Sequence, residues 1–408
     1  VIDLKPLPLI LCFAAALALS LLNFFTIAAV LPDLLALWDL SKTQGGWLVG
    51  IYFAGYLVSI LFVASLTDRI DPRRIYFAGA FAGGLSSIAL AFLADGFWLT
   101  MFLRFLGGAA FSGVYMPGLR ALTDQLPPQA RNRGIVYYTS CFALGSGFSI
   151  FAAGRIAALF DWRWAFLVAG LGSFAAMAII AVVQKPRAPA PMARPATQAG
   201  AYRQVFSNRR AVAYIVAMYG VGWEVFAFRS WIVTYLTERQ AGAEGQTFWL
   251  SPPDVAFATA MIGIPASVWI GELAARVDRE RLLLAVAGVS FVLGTTLAFS
   301  VTWRYEVMLA LCFLFSMSSF GRSSATTAGM MAAADDAVRG ATMAAYSFAA
   351  FLSGIVSPLA LGLALDLSGL WLGRTSWTIG FLGITIGSAI SIGALLVARR
   401  ASEGRASA

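Results

Sequence analysis

Ala64-Ser65-Leu66-Thr67-Asp68-Arg69-Ile70-Asp71-Pro72-Arg73-Arg74 separates two long apolar runs with two carboxylates, three arginines and a proline. A second polar break, at 271–281, reads Gly-Glu-Leu-Ala-Ala-Arg-Val-Asp-Arg-Glu-Arg. Arg69 aligns with Arg276 and Asp71 with Asp278 at one offset of 207 residues. In a chain of 408 residues, such an echo half a length apart points to two related halves. The copies are not equivalent, because Asp68 has Ala275 as its counterpart.

Composition places these breaks in a membrane protein. Apolar residues make up 60% of the chain, charged residues only 12%, and the mean hydropathy is +0.78. Apolar stretches of about 20 residues match the hydrocarbon thickness of a bilayer. Each must satisfy its own backbone there, so the stretches are helices. A barrel would show short alternating segments, and none is visible. The formal net charge of +9 is carried mostly by arginine in loops between spans. There it acts as an orientation signal, and nucleic-acid binding is not expected. Three scattered cysteines make neither a disulfide framework nor a metal site. The absence of histidine removes imidazole relays and histidine-based triads. No cofactor or metal is expected. The first apolar run reads as a span rather than a removable signal peptide.

Twelve spans are expected, at about 7–31, 46–66, 75–94, 98–122, 135–160, 164–183, 211–236, 254–275, 282–301, 305–334, 341–365 and 375–398. The first is expected to stop at Pro32-Asp33. Residues 185–210 hold four prolines and six basic residues, too polar to span and too Pro-rich for a regular helix. They read as a linker between a first bundle of six helices, 1–184, and a second, 211–408. The fold class is all-α. One set of loops gathers Arg69, Arg73, Arg74, Arg131, Arg133, the linker, Arg276, Arg279, Arg281, Arg339, Arg399 and Arg400, and the opposite set is poor in positive charge. Arginine counts therefore put both termini and the opening stretch in the cytoplasm, with the chain in a bacterial inner (plasma) membrane.

Six plus six spans, a basic linker and the Asp68-Arg69 break after span 2 resemble the major facilitator superfamily (MFS). Its loop signature reads Gly-x-Leu-x-Asp-Arg-x-Gly-Arg-Lys. Leu66, Asp68 and Arg69 match it; Ala64, Asp71 and Pro72 depart from it, while Arg73 and Arg74 keep positive charge. Trp162-Arg163 with Phe166 is similar to the family's junction of spans 5 and 6. The resemblance implies a monomeric secondary transporter whose central site is exposed alternately to each face. It also implies a cytoplasmic gate in which Asp68 faces the span 11 N-terminus near Gly340, where partial positive charge would favour it. Arg69, Arg73 and Asp124 would complete the network. Solvated loop charges obeying topology are the alternative.

Charges deep in a bilayer cost about 2.5–3.5 kcal/mol each on insertion scales. The deep ones are Arg104 on span 4, Glu224 and Arg229 on span 7, and Arg322 on span 10. Arg155 and Glu272 lie nearer span ends. The resemblance implies that spans 1, 4, 7 and 10 line the cavity, and all four deep charges fall on that subset. Three positive charges against one negative favour a small anionic substrate, which arginine can grip with two parallel hydrogen bonds. At about 100° per residue, Ser319, Arg322 and Thr326 share a face, as do Arg104, Gly108, Phe111 and Tyr115. Tyr219, Trp223, Phe226 and Ser230 form a stripe on span 7. Asn23, Tyr52 and Tyr346 are further candidate contacts. Arg104 resembles a family arginine that serves proton coupling or structure in many members. Gly108 and Ser353 could equally be packing positions.

Glu224 and Arg229 lie about 140° apart, too far to pair on a regular helix, although Gly220 and Gly222 permit a distortion. As the one deep carboxylate, Glu224 is the candidate for proton coupling. Burial favours its neutral form and a neighbouring arginine its charged form. A permanent ion pair with an arginine of another helix is the alternative. An efflux carrier for amphipathic compounds is the competing function, weakened by the absence of proline from the glycine-containing span 5. An embedded enzyme would need a nucleophile with its base, paired carboxylates or a metal cluster, and the spans offer none.

Overall fold

The computed structural model describes residues 5–66, 70–185, 198–242, 248–373 and 375–406. They form α1 (Pro6–Leu21), α2 (Thr26–Leu37), α3 (Lys42–Leu66), α4 (Pro72–Leu93), α5 (Phe97–Gln125), α6 (Pro128–Leu159), α7 (Trp162–Val183), α8 (Gln198–Ser207), α9 (Arg209–Ala241), α10 (Pro252–Leu273), α11 (Arg279–Phe299), α12 (Tyr305–Gly321), α13 (Ser323–Ala333), α14 (Arg339–Leu372) and α15 (Trp377–Ala406). Among the described residues there is no strand. Twelve segments are long and apolar enough to cross a bilayer; α1 with α2 makes the first, and α12 with α13 the tenth.

The repeated polar break has a local explanation. Asp71 N-caps α4, its carboxylate accepting from the Arg73 N–H at 2.9 Å, and Pro72 follows where a missing N–H costs nothing. Asp278 N-caps α11 in the same way, accepting from the Arg281 N–H at 2.7 Å. Asp161, at the Trp162-Arg163 junction, caps α7. The aspartates that echo across 207 residues are therefore helix starters. Asp68 and Arg69 lie outside the described residues.

Three boundaries differ from expectation. The first span does not stop at Pro32, which lies inside α2; it breaks at 22–25. There the Ser149 hydroxyl of α6 donates to the Leu22 carbonyl (2.7 Å) and accepts from the Phe25 N–H (3.0 Å). The tenth span breaks at Arg322, between α12 and α13. The linker contains a helix, α8, because its four prolines all precede residue 198.

The chain compacts into two units, residues 1–193 with 232–257, and residues 194–231 with 258–408. In the first, α5 packs against both α3 and α4, and α7 against α4 and α1. Backbones approach closely where α4 meets α5: a Cβ on Gly79 would lie 2.7 Å from the Ala110 carbonyl oxygen. Residues 232–257 join this unit through Arg155–Asp254 (2.7 Å) and the Lys42–Glu238 pair. In the second unit α11 packs against α15 and α12, and α15 against α14. One end of that unit buries Val205, Tyr214, Leu283, Met330, Val338 and Leu395 together.

Candidate functional site

The second unit holds a buried ion pair at its centre. Glu224 on α9 and Arg322 at the α12–α13 break are both 0% exposed. Arg322 Nη2 donates to Glu224 Oε2 at 2.5 Å. Ser290 on α11 donates to the same oxygen at 3.0 Å, and Ser388 on α15 donates to Oε1. Four segments thus converge on one carboxylate. Two further guanidinium atoms, Arg322 Nε and Nη1, are buried with no hydrogen-bond partner. A buried donor without a partner costs about 1–3 kcal/mol, so this exception needs a reason.

Local sequence explains the convergence. Gly220 sits where a side chain would overlap the Gly387 carbonyl, and a Cβ on Gly387 would lie 2.8 Å from Glu224 Cγ. These glycines let α9 and α15 touch backbone to backbone, which sets Ser388 against Glu224. Gly222 does the same toward α14, where a Cβ would lie 3.1 Å from the Ala350 carbonyl oxygen. α9 is continuous, so Gly220 and Gly222 serve close packing rather than a distortion. At the break, the Arg322 carbonyl accepts from the Thr326 N–H at 3.0 Å and from its hydroxyl at 2.7 Å.

The other expected contacts of this unit lie on several helices. The Arg229 guanidinium stacks over Phe320 at 5.2 Å. Ser319 donates to the Ser316 carbonyl, the Trp223 indole donates to the Gly383 carbonyl at 2.9 Å, and the Tyr346 hydroxyl bonds Thr327 at 2.7 Å. Gly340 is exposed in the first turn of α14.

In the first unit Arg104 is also 0% exposed. Its Nη1 donates to the Asn23 carbonyl at 3.0 Å and approaches Asn23 Oδ1 at 3.4 Å. Nε and Nη2 reach the Leu48 and Phe24 carbonyls at 3.4 and 3.5 Å, and the group lies over the Tyr52 ring at 4.5 Å. Gly108 leaves no room beside it: a side chain there would overlap the Tyr52 backbone carbonyl, so the glycine serves the α3–α5 crossing. Tyr115 stacks between Phe111 (6.1 Å) and Tyr138 (6.0 Å). Arg73 turns to the Ala181 carbonyl (2.8 Å) and the Phe77 ring, and Asp124 is exposed in the last turn of α5.

Sequence reasoning missed Ser290 and Ser388, because attention rested on spans 1, 4, 7 and 10. The available signal was a serine next to or two residues after a glycine in each span, Gly288-Val289-Ser290 and Gly387-Ser388. Ser149 was missed for the same reason.

Twelve candidate spans among the described residues define a polytopic membrane protein. The profile of the Major Facilitator Superfamily matches residues 13–358, and the chain belongs to that family. Over 357 residues it is 22% identical to the D-galactonate transporter of Escherichia coli, a match covering 80% of this chain and 77% of that one. It is 28% identical to the niacin transporter NiaP of Acinetobacter baylyi over 154 residues, 38% of this chain and about a third (35%) of that protein. A solved bacterial homolog of the human lysosomal transporter Spinster, inward-facing and occupied, superposes with a TM-score of 0.79 at 15% identity, covering 98% of each chain.

Proposed function

We propose that this protein is a secondary transporter that moves a small organic anion by alternating access, with Glu224 exchanging a proton during the cycle. The observation that carries this reading is Arg322. Its Nη2 is held by Glu224, and its Nε and Nη1 have no partner. Nε and Nη1 lie on different edges of the guanidinium, so a carboxylate can take either N–H, and grips an edge with two parallel hydrogen bonds only together with the second hydrogen of Nη2. Arg229 adds a second cation to the same unit. Niacin and D-galactonate, named for two relatives, are both carboxylates.

Coupling follows from charge. While Glu224 is ionised it neutralises Arg322. Protonation leaves the arginine's charge available to the substrate, and Ser290 and Ser388 can bond the carboxyl in either state. The test is uptake of nicotinate and galactonate by proteoliposomes under an imposed pH gradient. Glu224→Gln is expected to keep substrate exchange and lose proton-driven accumulation. Accumulation at the wild-type level would exclude Glu224 from coupling.

Export of amphipathic compounds is the second reading, favoured by the aromatic run Phe24, Phe111, Tyr115 and Phe142 in the first unit. A thermal-shift screen separates the two. Stabilisation by carboxylates supports the first, and stabilisation by cationic drugs alone supports the second. In either reading the protein acts as a monomer in a bacterial inner membrane, with its arginine-rich ends and termini in the cytoplasm. We assign Asp68, Arg69, Arg73, Asp124 and Gly340 to cytoplasmic gating on the family resemblance. Asp68→Asn should slow transport while insertion stays normal; an unchanged rate would remove the gate role.

A further inference from the structure

Consecutive helices normally pack on one another, yet α3 and α4 barely touch among the described residues; each packs on α5 instead. A furrow of about 480 Å³ opens between them. α5 supplies its floor with Ala109, Ala110 and Gly113. Val63 and Leu66 form one wall, and Ile75, Ala78 and Ala82 the other. Arg74 closes one end. From Arg74 to Ala82 the α4 wall rises about 12 Å along the helix axis.

The surroundings are lipid-like. Phe62, Leu66 and Phe81 on the flanking helices are 70%, 39% and 52% exposed. In a chain of this class, exposed apolar bulk on a span faces hydrocarbon. Arg74 belongs to the first turn of α4, on the arginine-rich side of the spans. Its neighbours are committed elsewhere: Arg73 to the Ala181 carbonyl and the Phe77 ring, and Asp71 to capping α4. Arg74 itself is exposed.

A ligand for this furrow must carry negative charge at one end and continue as a slender apolar chain running parallel to α4. We propose that the α3–α4 furrow is a binding site for an anionic phospholipid, with one acyl chain along Ala78 and Ala82 and its phosphate on Arg74. The occupant wedges α3 from α4 and replaces the missing contact between them. This site lies wholly within the first unit and is independent of Glu224 and Arg322.

The test is native mass spectrometry of the purified full chain, supplied with palmitoyl-oleoyl phosphatidylglycerol or phosphatidylcholine. Wild type should retain phosphatidylglycerol through detergent exchange. Arg74→Gln should lower its occupancy about fivefold and leave phosphatidylcholine unchanged. Ala82→Trp fills the furrow and should abolish retention of both. Leu171→Trp, an exposed α7 position (53%) away from the furrow, should behave as wild type. Equal phosphatidylglycerol occupancy in wild type and Arg74→Gln would overturn the headgroup assignment. Retention by Ala82→Trp at the wild-type level, or equal loss in Leu171→Trp, would overturn the site. Arg74→Gln changes only an exposed side chain, so it keeps the test decisive if Ala82→Trp folds poorly.

Discussion

Arg104 and Arg322 are the same residue type at the same burial, each beside an interrupted helix, and they are used in opposite ways. Arg104 lies on the continuous α5 and serves a break elsewhere: its guanidinium collects the Asn23 and Phe24 carbonyls freed between α1 and α2. Its contacts are carbonyls, an amide and the Tyr52 ring, with no carboxylate among them. Arg322 lies in the break itself, and its guanidinium turns to Glu224. One arginine has its nitrogens committed and, among the described residues, no acid paired with its charge. The other has its charge paired and two nitrogens uncommitted. Depth and residue type are the same at both positions; the hydrogen-bond partners differ. The first unit uses its cation to hold backbone, and the second keeps hydrogen-bonding capacity in reserve.

The largest expected effect comes from breaking the pair. Removing one member of a buried ion pair costs about 3–5 kcal/mol, because the other charge is left uncompensated. Glu224→Gln and Arg322→Gln should each lower the thermal midpoint strongly. The double variant should recover most of that loss, a coupling that a double-mutant cycle reads directly. Additive losses would mean that the two side chains do not stabilise each other.

Lysine substitutions sharpen the contrast. Arg104→Lys keeps the charge, but one ammonium cannot span the Leu48, Asn23 and Phe24 carbonyls. With hydrogen bonds to a charged group worth about 1.5–3 kcal/mol each, it should lose about 3 kcal/mol of stability. Arg322→Lys can keep the Glu224 contact and should stay near wild type in stability, while anion transport falls more than about tenfold for want of a two-point grip. The comparison fails if lysine costs stability at 322 and spares it at 104.

The glycines predict a smaller split. Gly108→Ala would meet the Tyr52 carbonyl, and Gly387→Ala would meet Glu224 Cγ. Overpacking costs about 1–3 kcal/mol at either place. Only Gly387→Ala should also reduce the transport rate per folded molecule, since it pushes α15 and Ser388 away from the carboxylate.

What was legible in the sequence divides along physical lines. Span number depends on apolar length, a local property, and all twelve spans were readable. Asp71 and Asp278 stood out by their repetition, and capping is also local: a carboxylate and the N–H groups two or three residues on. The breaks at 22–25 and Arg322 were hidden. Neither contains proline, and the first is satisfied by Arg104 and Ser149, which lie 80 or more residues from the groups they bond. Deep charges could be counted but not matched. Excluding an intrahelical Glu224–Arg229 pair left the partner open, and choosing Arg322 needed the tertiary placement of the α12–α13 break against α9. The supporting serines were illegible because a single hydroxyl in a membrane helix commonly bonds its own backbone, as Ser230 and Ser353 do here.

The serines also carry the smallest contrast. Ser149 bridges two backbone groups across the α1–α2 break, whereas Ser388 and Ser290 touch only the Glu224 carboxylate. Ser149→Ala removes the hydroxyl that joins the Phe25 N–H to the Leu22 carbonyl, which keeps the Thr26 hydroxyl, and should cost about 1–3 kcal/mol of stability. Ser388→Ala should cost about 1 kcal/mol, because Arg322 and Ser290 still hold the carboxylate. Its effect should appear in function. Removing a donor favours the neutral carboxyl over the ionised one, so the pH at which proton-driven uptake is half-maximal should move upward. Ser149→Ala should leave that pH where it is. Uptake followed across external pH in proteoliposomes of both variants reads the difference. An equal shift in the two would show that the hydroxyl on Glu224 acts through general packing rather than through the carboxylate.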